Sequence, residues 1–149
     1  MAAKSMCGKE YEPFTWLVER GKMRELVQSI GDNNPIYLDR LSAKEAGYQD
    51  TPASSTYITL PGMWMKVIGR VAKDLNIKLH RMLHGEQNYE YFQEIYPGDV
   101  LTGRAKIVAV EGKSCKAGDM DIVRMQIAYT NQRNELALKV TSVLVERLD

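Results

Sequence analysis

The chain has 149 residues, of which 44% are hydrophobic and 26% charged, a length and mix that fit one ordinary globular domain. Its formal net charge of +1 supplies no field for nucleic acid or an anionic membrane surface, and no apolar run approaches the roughly 18 residues of a membrane helix. With no signal-peptide core in residues 1–9 and only Cys7 and Cys115, far apart and without metal-ligand spacing, the expectation is a soluble cytoplasmic protein with neither zinc site nor disulfide framework.

Residues 1–12 are polar and unpatterned and read as a flexible N-terminal tail, leaving 13–149 as a single domain. Residues 14–18, Phe-Thr-Trp-Leu-Val, predict a short strand. A short amphipathic helix follows, with Met23, Leu26, Val27 and Ile30 on one face and Gly31 as its stop. Asp32-Asn33-Asn34-Pro35 is a dense turn signal. Ser42, with Glu45 three residues on, has the spacing of a capping box and predicts a second small helix ending at Gly47.

After the loop Thr51–Thr56 comes the longest helical pattern, running to about Leu75. Tyr57, Leu60, Trp64, Val67, Ile68, Val71 and Leu75 keep its three-and-four spacing, and Met63 and Met65 widen the apolar face. Pro61 fits best at the first helical position. From His84 the period becomes alternating, with Tyr89, Tyr91 and Ile95 on one side and Glu90 and Glu94 on the other. Three more strands follow at residues 101–110, 122–130 and 136–145, separated by polar or glycine-bearing segments. Helices followed by sequential strands indicate an α+β domain. An antiparallel sheet wrapped around one long central helix buries so wide an apolar face, and its exposed edge favours a dimer.

Two segments resemble a known family. Gly31 to Asp39, with Ala43 and Ala46-Gly47-Tyr48, is similar to the hydratase signature of the MaoC-like hydratase/dehydratase superfamily. Leu83 to Tyr91, followed by Tyr96-Pro97-Gly98-Asp99, resembles its FAS1-like dehydratase N-terminal domain branch, which includes substrate-binding subunits of (3R)-hydroxyacyl-ACP dehydratases. The resemblance implies a hot-dog fold acting on an enoyl or 3-hydroxyacyl thioester. It also implies a partner, either a second copy or a MaoC-like catalytic subunit. No cofactor is implied beyond the CoA or phosphopantetheine of the substrate.

In catalytic members an Asp, and a His five residues on, manage the protons of the added water. Here these positions are Asp32 and Tyr37. Tyrosine, with a reference pKa near ~10, is a poor base at neutral pH. The resemblance further implies substrate contacts at Asn34, Ser54, Ser55, Thr56, His84 and Gly85, and Ser54-Ser55-Thr56 stands where catalytic members tend to carry His-Gly.

Each residue also has a plain structural reading. Asp32 and Asn34 are explained by turn hydrogen bonding, Tyr37 by packing, His84 by fixing a strand end, and Glu86 and Glu90 by one polar strand face. Three functions stay open: an acyl-binding subunit of an (R)-specific hydratase, a self-sufficient homodimeric hydro-lyase using Asp32 with His84 or Tyr37, and a non-catalytic acyl-thioester scaffold.

Overall fold

The computed structural model describes residues 4–115 and 118–148. Five strands form one antiparallel sheet in the order β1-β3-β4-β5-β2, with β1 at Phe14–Leu17, β2 at Met82–Tyr91, β3 at Val100–Cys115, β4 at Gly118–Thr130 and β5 at Leu136–Arg147. Among the described residues there are four α-helices: α1 at Arg20–Ser29, α2 at Arg40–Glu45, α3 at Thr59–Trp64 and α4 at Val67–Asp74. The last two lie on the inner face of the sheet, and the whole is the hot-dog architecture.

Alternation sets the register. Tyr129, Ile127, Met125 and Val123 of β4 stand opposite Leu138, Val140, Ser142 and Leu144 of β5. These in turn stand opposite Tyr91, Tyr89, Gln87 and His84 of β2. One face therefore carries a nearly continuous apolar floor, and its β4 and β5 members are buried. Val67, Val71, Ala72 and Leu75 of α4 complete the core against it.

The helical layer is divided. Lys66 adopts a left-handed conformation at φ 53° between α3 and α4, which ends one helix and re-aims the next. The break turns Trp64 out to 67% exposure, so it leaves the apolar face that its spacing predicts. Pro61 is the third residue of α3, not the first. A first-turn position has no intrahelical N–H bond to lose, so proline is tolerated there.

Three further expectations change. The tail is tied down from Lys4 onward: the Gly8 N–H donates to the Ile107 carbonyl, the Ile107 N–H to Lys9, and the Tyr11 N–H to Ala105. Those main-chain bonds extend the β1 edge of β3 with no demand on side-chain type. The cap of α2 is Asp39, whose carboxylate accepts from the Ser42 N–H and hydroxyl at 2.8 Å each. Ser42 is thus the capped residue and not the cap. Strands β3 and β4 also run through most of the polar segment 111–119.

Among the described residues, no helix is long and apolar enough to cross a membrane.

Candidate functional site

A cavity of about 250 Å³ lies between α3–α4 and the inner face of β2, β4 and β5. Its roof is Ile58, Thr59, Gly62, Met63, Val67 and Ile68, and its floor is chiefly Met125, Ile127, Tyr129, Val140 and Tyr89. Gln87, Ser142 and exposed His84 supply polar groups farther along the strands. Ser142 donates its hydroxyl to Gln87 Oε1 at 2.7 Å, which satisfies both inside the wall. A larger cleft of about 470 Å³ lies on the other side of the sheet against Glu10, Glu12, Arg104 and Lys106; its solvated charges leave no dry wall for a hydrocarbon.

Tyr89 and Tyr129 line the cavity, and Tyr91 stacks beside Tyr89. Tyr89 OH and Thr59 Oγ1 are 2.6 Å apart, joining floor to roof. Tyr91, stacked 6.5 Å from the Tyr89 ring, donates its hydroxyl to the Ser55 carbonyl at 2.6 Å. This pins the loop before α3, and the Ser55 and Thr56 N–H groups have no hydrogen-bond partner among the described residues. Ser54 is buried and its hydroxyl is also unpartnered.

The loop is held from its other end by Arg20 of α1. Its guanidinium makes two 2.8 Å bonds to the Asp50 carboxylate and one to Thr51 Oγ1. That hydrogen bonding to Arg20 holds the Asp50 carboxyl well below the usual range.

Asp32 closes α1: its N–H donates to the Val27 carbonyl and its Oδ1 accepts from the Asn34 N–H at 2.9 Å. Asn34 caps the short 3-10 turn Pro35–Tyr37 by accepting from the Ile36 N–H. Tyr37 is partly buried, and burial pushes its pKa up, with the Asp32 charge, Tyr48 and Glu94 adding to the rise. The Asp32 carboxylate is near enough to add to the rise in the Tyr37 pKa, with no hydrogen bond between the two side chains among the described residues. The tyrosine is shifted away from base chemistry at neutral pH.

Neither histidine joins that pair within the chain. His84 stands opposite Leu144, whereas Tyr91, which feels the Tyr37 hydroxyl, stands opposite Leu138. Six residues of strand separate them, roughly 20 Å. His84 makes no strand-fixing hydrogen bond among the described residues and lines the cavity instead. Gly85 sits in the β2 bulge between His84 and Glu86. A side chain there would meet Val145 Cγ2 at 3.2 Å and the Val143 carbonyl at 3.3 Å, so it serves strand packing. Glu86 and Glu90, opposite Val143 and Lys139, share the outer face. Tyr129 and Ser142 carry no local sequence signal, because each is one step in a regular alternation.

The sequence of the FAS1-like dehydratase domain region matches residues 5–140. The chain belongs to that family. The chain is also similar to a UPF0336 protein of Thermobifida fusca, 34% identical over 145 residues, 95% of this chain and 91% of that protein. Among solved structures, the C-terminally truncated HadBC (3R)-hydroxyacyl-ACP dehydratase complex of Mycobacterium tuberculosis superposes with TM-score 0.80 at 21% identity, covering 94% of this chain and 96% of that one. The ChsH1–ChsH2 complex of the same organism superposes with TM-score 0.73 at 18% identity, covering 97% and 90%. These likenesses agree with the hot-dog architecture of the FAS1-like dehydratase domain seen here.

Proposed function

We propose that the chain is the acyl-thioester-binding subunit of an (R)-specific enoyl-thioester hydratase or 3-hydroxyacyl dehydratase, paired with a MaoC-like chain that supplies an intact Asp/His pair. The observation that carries this reading is the apolar cavity under α3–α4, beside the loop into α3 whose Ser55 and Thr56 N–H groups have no partner among the described residues. An acyl chain fills the cavity. The Ser55 and Thr56 N–H groups take the thioester carbonyl oxygen, as preorganised donors do for a developing enolate. The CoA or phosphopantetheine arm comes with the substrate.

The pairing rests on the exposed end strand. β2 pairs with β5 on one side only, its inward-facing His84 and Tyr91 remain exposed, and Leu83 beside them is 56% exposed. An open edge of this length is normally covered. The HadBC and ChsH1–ChsH2 structures are each complexes by name, which favours a second, different hot-dog chain.

Calorimetric titration with octanoyl-CoA and with free CoA tests the acyl site. The thioester should bind saturably and at least tenfold tighter than CoA. Equal affinities in a folded protein would remove the acyl chain from the account.

A further inference from the structure

The tyrosines in and beside the cavity are not equivalent. Tyr89 OH is engaged by Thr59, and Tyr91 OH by the Ser55 carbonyl. Tyr129 has 0% exposure, lines the cavity, and its hydroxyl has no partner. Its ring is fixed edge-to-face on Phe14, centroids 5.8 Å apart at 80°, so the direction of the hydroxyl is set by packing. A phenylalanine would fill the same space without burying an unsatisfied hydroxyl, an arrangement that native interiors avoid unless something satisfies it. Burial, with Tyr89 and Tyr91 alongside, raises its pKa well above the ordinary tyrosine value. It therefore stays protonated and able to donate.

Its level along the sheet says which part of a ligand it meets. Tyr129 of β4 and Tyr91 of β2 both stand opposite Leu138. Tyr129 is thus level with the residue that anchors the Ser55 loop, where the thioester carbonyl is placed. The Gln87–Ser142 pair lies four residues farther along β5, roughly 13 Å away, toward the acyl tail. The unpartnered hydroxyl therefore belongs to the residue level with the first carbons of a chain whose carbonyl is held at that loop.

We infer that Tyr129 hydrogen-bonds the 3-oxygen of a 3-hydroxyacyl thioester, making this site selective for the hydroxylated form over the saturated one. The inference rests on the acyl-thioester reading above and adds the residue that distinguishes its ligands. A site built around a buried polar partner rejects the analogue lacking the matching oxygen, because the protein group is then left unpaired.

The test is calorimetric binding of (3R)-3-hydroxyoctanoyl-CoA and octanoyl-CoA to the wild type and to Tyr129→Phe. The wild type should prefer the hydroxylated thioester by about tenfold. Tyr129→Phe should bind both equally, with its Tm no lower than wild type. No preference in the wild type, or one that survives in Tyr129→Phe, overturns the assignment while leaving the acyl site standing. If octanoyl-CoA itself fails to bind, the acyl-thioester reading falls and this inference falls with it.

Discussion

Gly103→Ala probes how tightly β1 is fastened beneath the site. Gly103 pairs with Phe14, and β1 is joined to β3 through only four residue pairs, Phe14↔Gly103 to Leu17↔Val100. A Cβ at Gly103 would lie 2.8 Å from each Cε of the Phe14 ring, and closer still to Cζ. Favourable carbon contacts begin near ~3.5 Å, so the ring or the short strand must retreat by most of an ångström. Overpacking of this kind costs about 1–3 kcal/mol, and losing Phe14's packing outright would cost about 3–5 kcal/mol. A loss of about 2–3 kcal/mol, or roughly 5–10 °C in Tm for a domain of this size, is expected in a thermal melt. Adding Phe14→Leu removes the far edge of the ring, so the double variant should recover about 1 kcal/mol relative to the sum of the single changes. A Gly103→Ala protein melting with the wild type, or strictly additive effects, would refute the close approach. Because Phe14 packs on Tyr129, the same displacement should also weaken selection between hydroxylated and saturated thioesters.

Two other outcomes follow from the geometry. Asp50 has a folded-state pKa below its unfolded value because of Arg20, so its contribution is full above about pH 4 and is lost as pH falls through the lower folded value. Asp50→Asn should therefore cost about 1 kcal/mol at neutral pH and flatten the acid side of a stability–pH curve; an unchanged acid limb would show that the ion pair contributes nothing. Charging the exposed Leu83 of the β2 edge as Asp should weaken co-sedimentation with a MaoC-like partner chain, and an unaltered complex would place the interface elsewhere.

Much of the sheet was legible because burial forces alternation: Val123, Met125, Ile127 and Tyr129 leave a period of two that is hard to misread. The motif segments likewise led to Asp32 and Tyr37, where the Asp32 charge adds to the raised pKa of the tyrosine. What stayed hidden depends on backbone or distant partners. A lysine in left-handed conformation leaves no trace in the apolar periodicity, so the break at Lys66 and the outward turn of Trp64 were invisible. The bonds from Gly8 and Tyr11 to β3 involve main-chain atoms alone. Tyr129 became a site residue only when its hydroxyl could be seen without a partner, and Asp39 outcompeted Ser42 as the cap because an Asx side chain reaches the N–H three residues on.

The most direct test of the central claim is loss of enoyl absorbance from 2-octenoyl-CoA incubated with the purified protein alone, with an active (R)-hydratase as the positive control. The account predicts no turnover by a correctly folded protein that still binds octanoyl-CoA, because Tyr37 stands where the catalytic imidazole is needed. Turnover that disappears in Asp32→Asn would contradict it and make the chain a self-sufficient hydro-lyase.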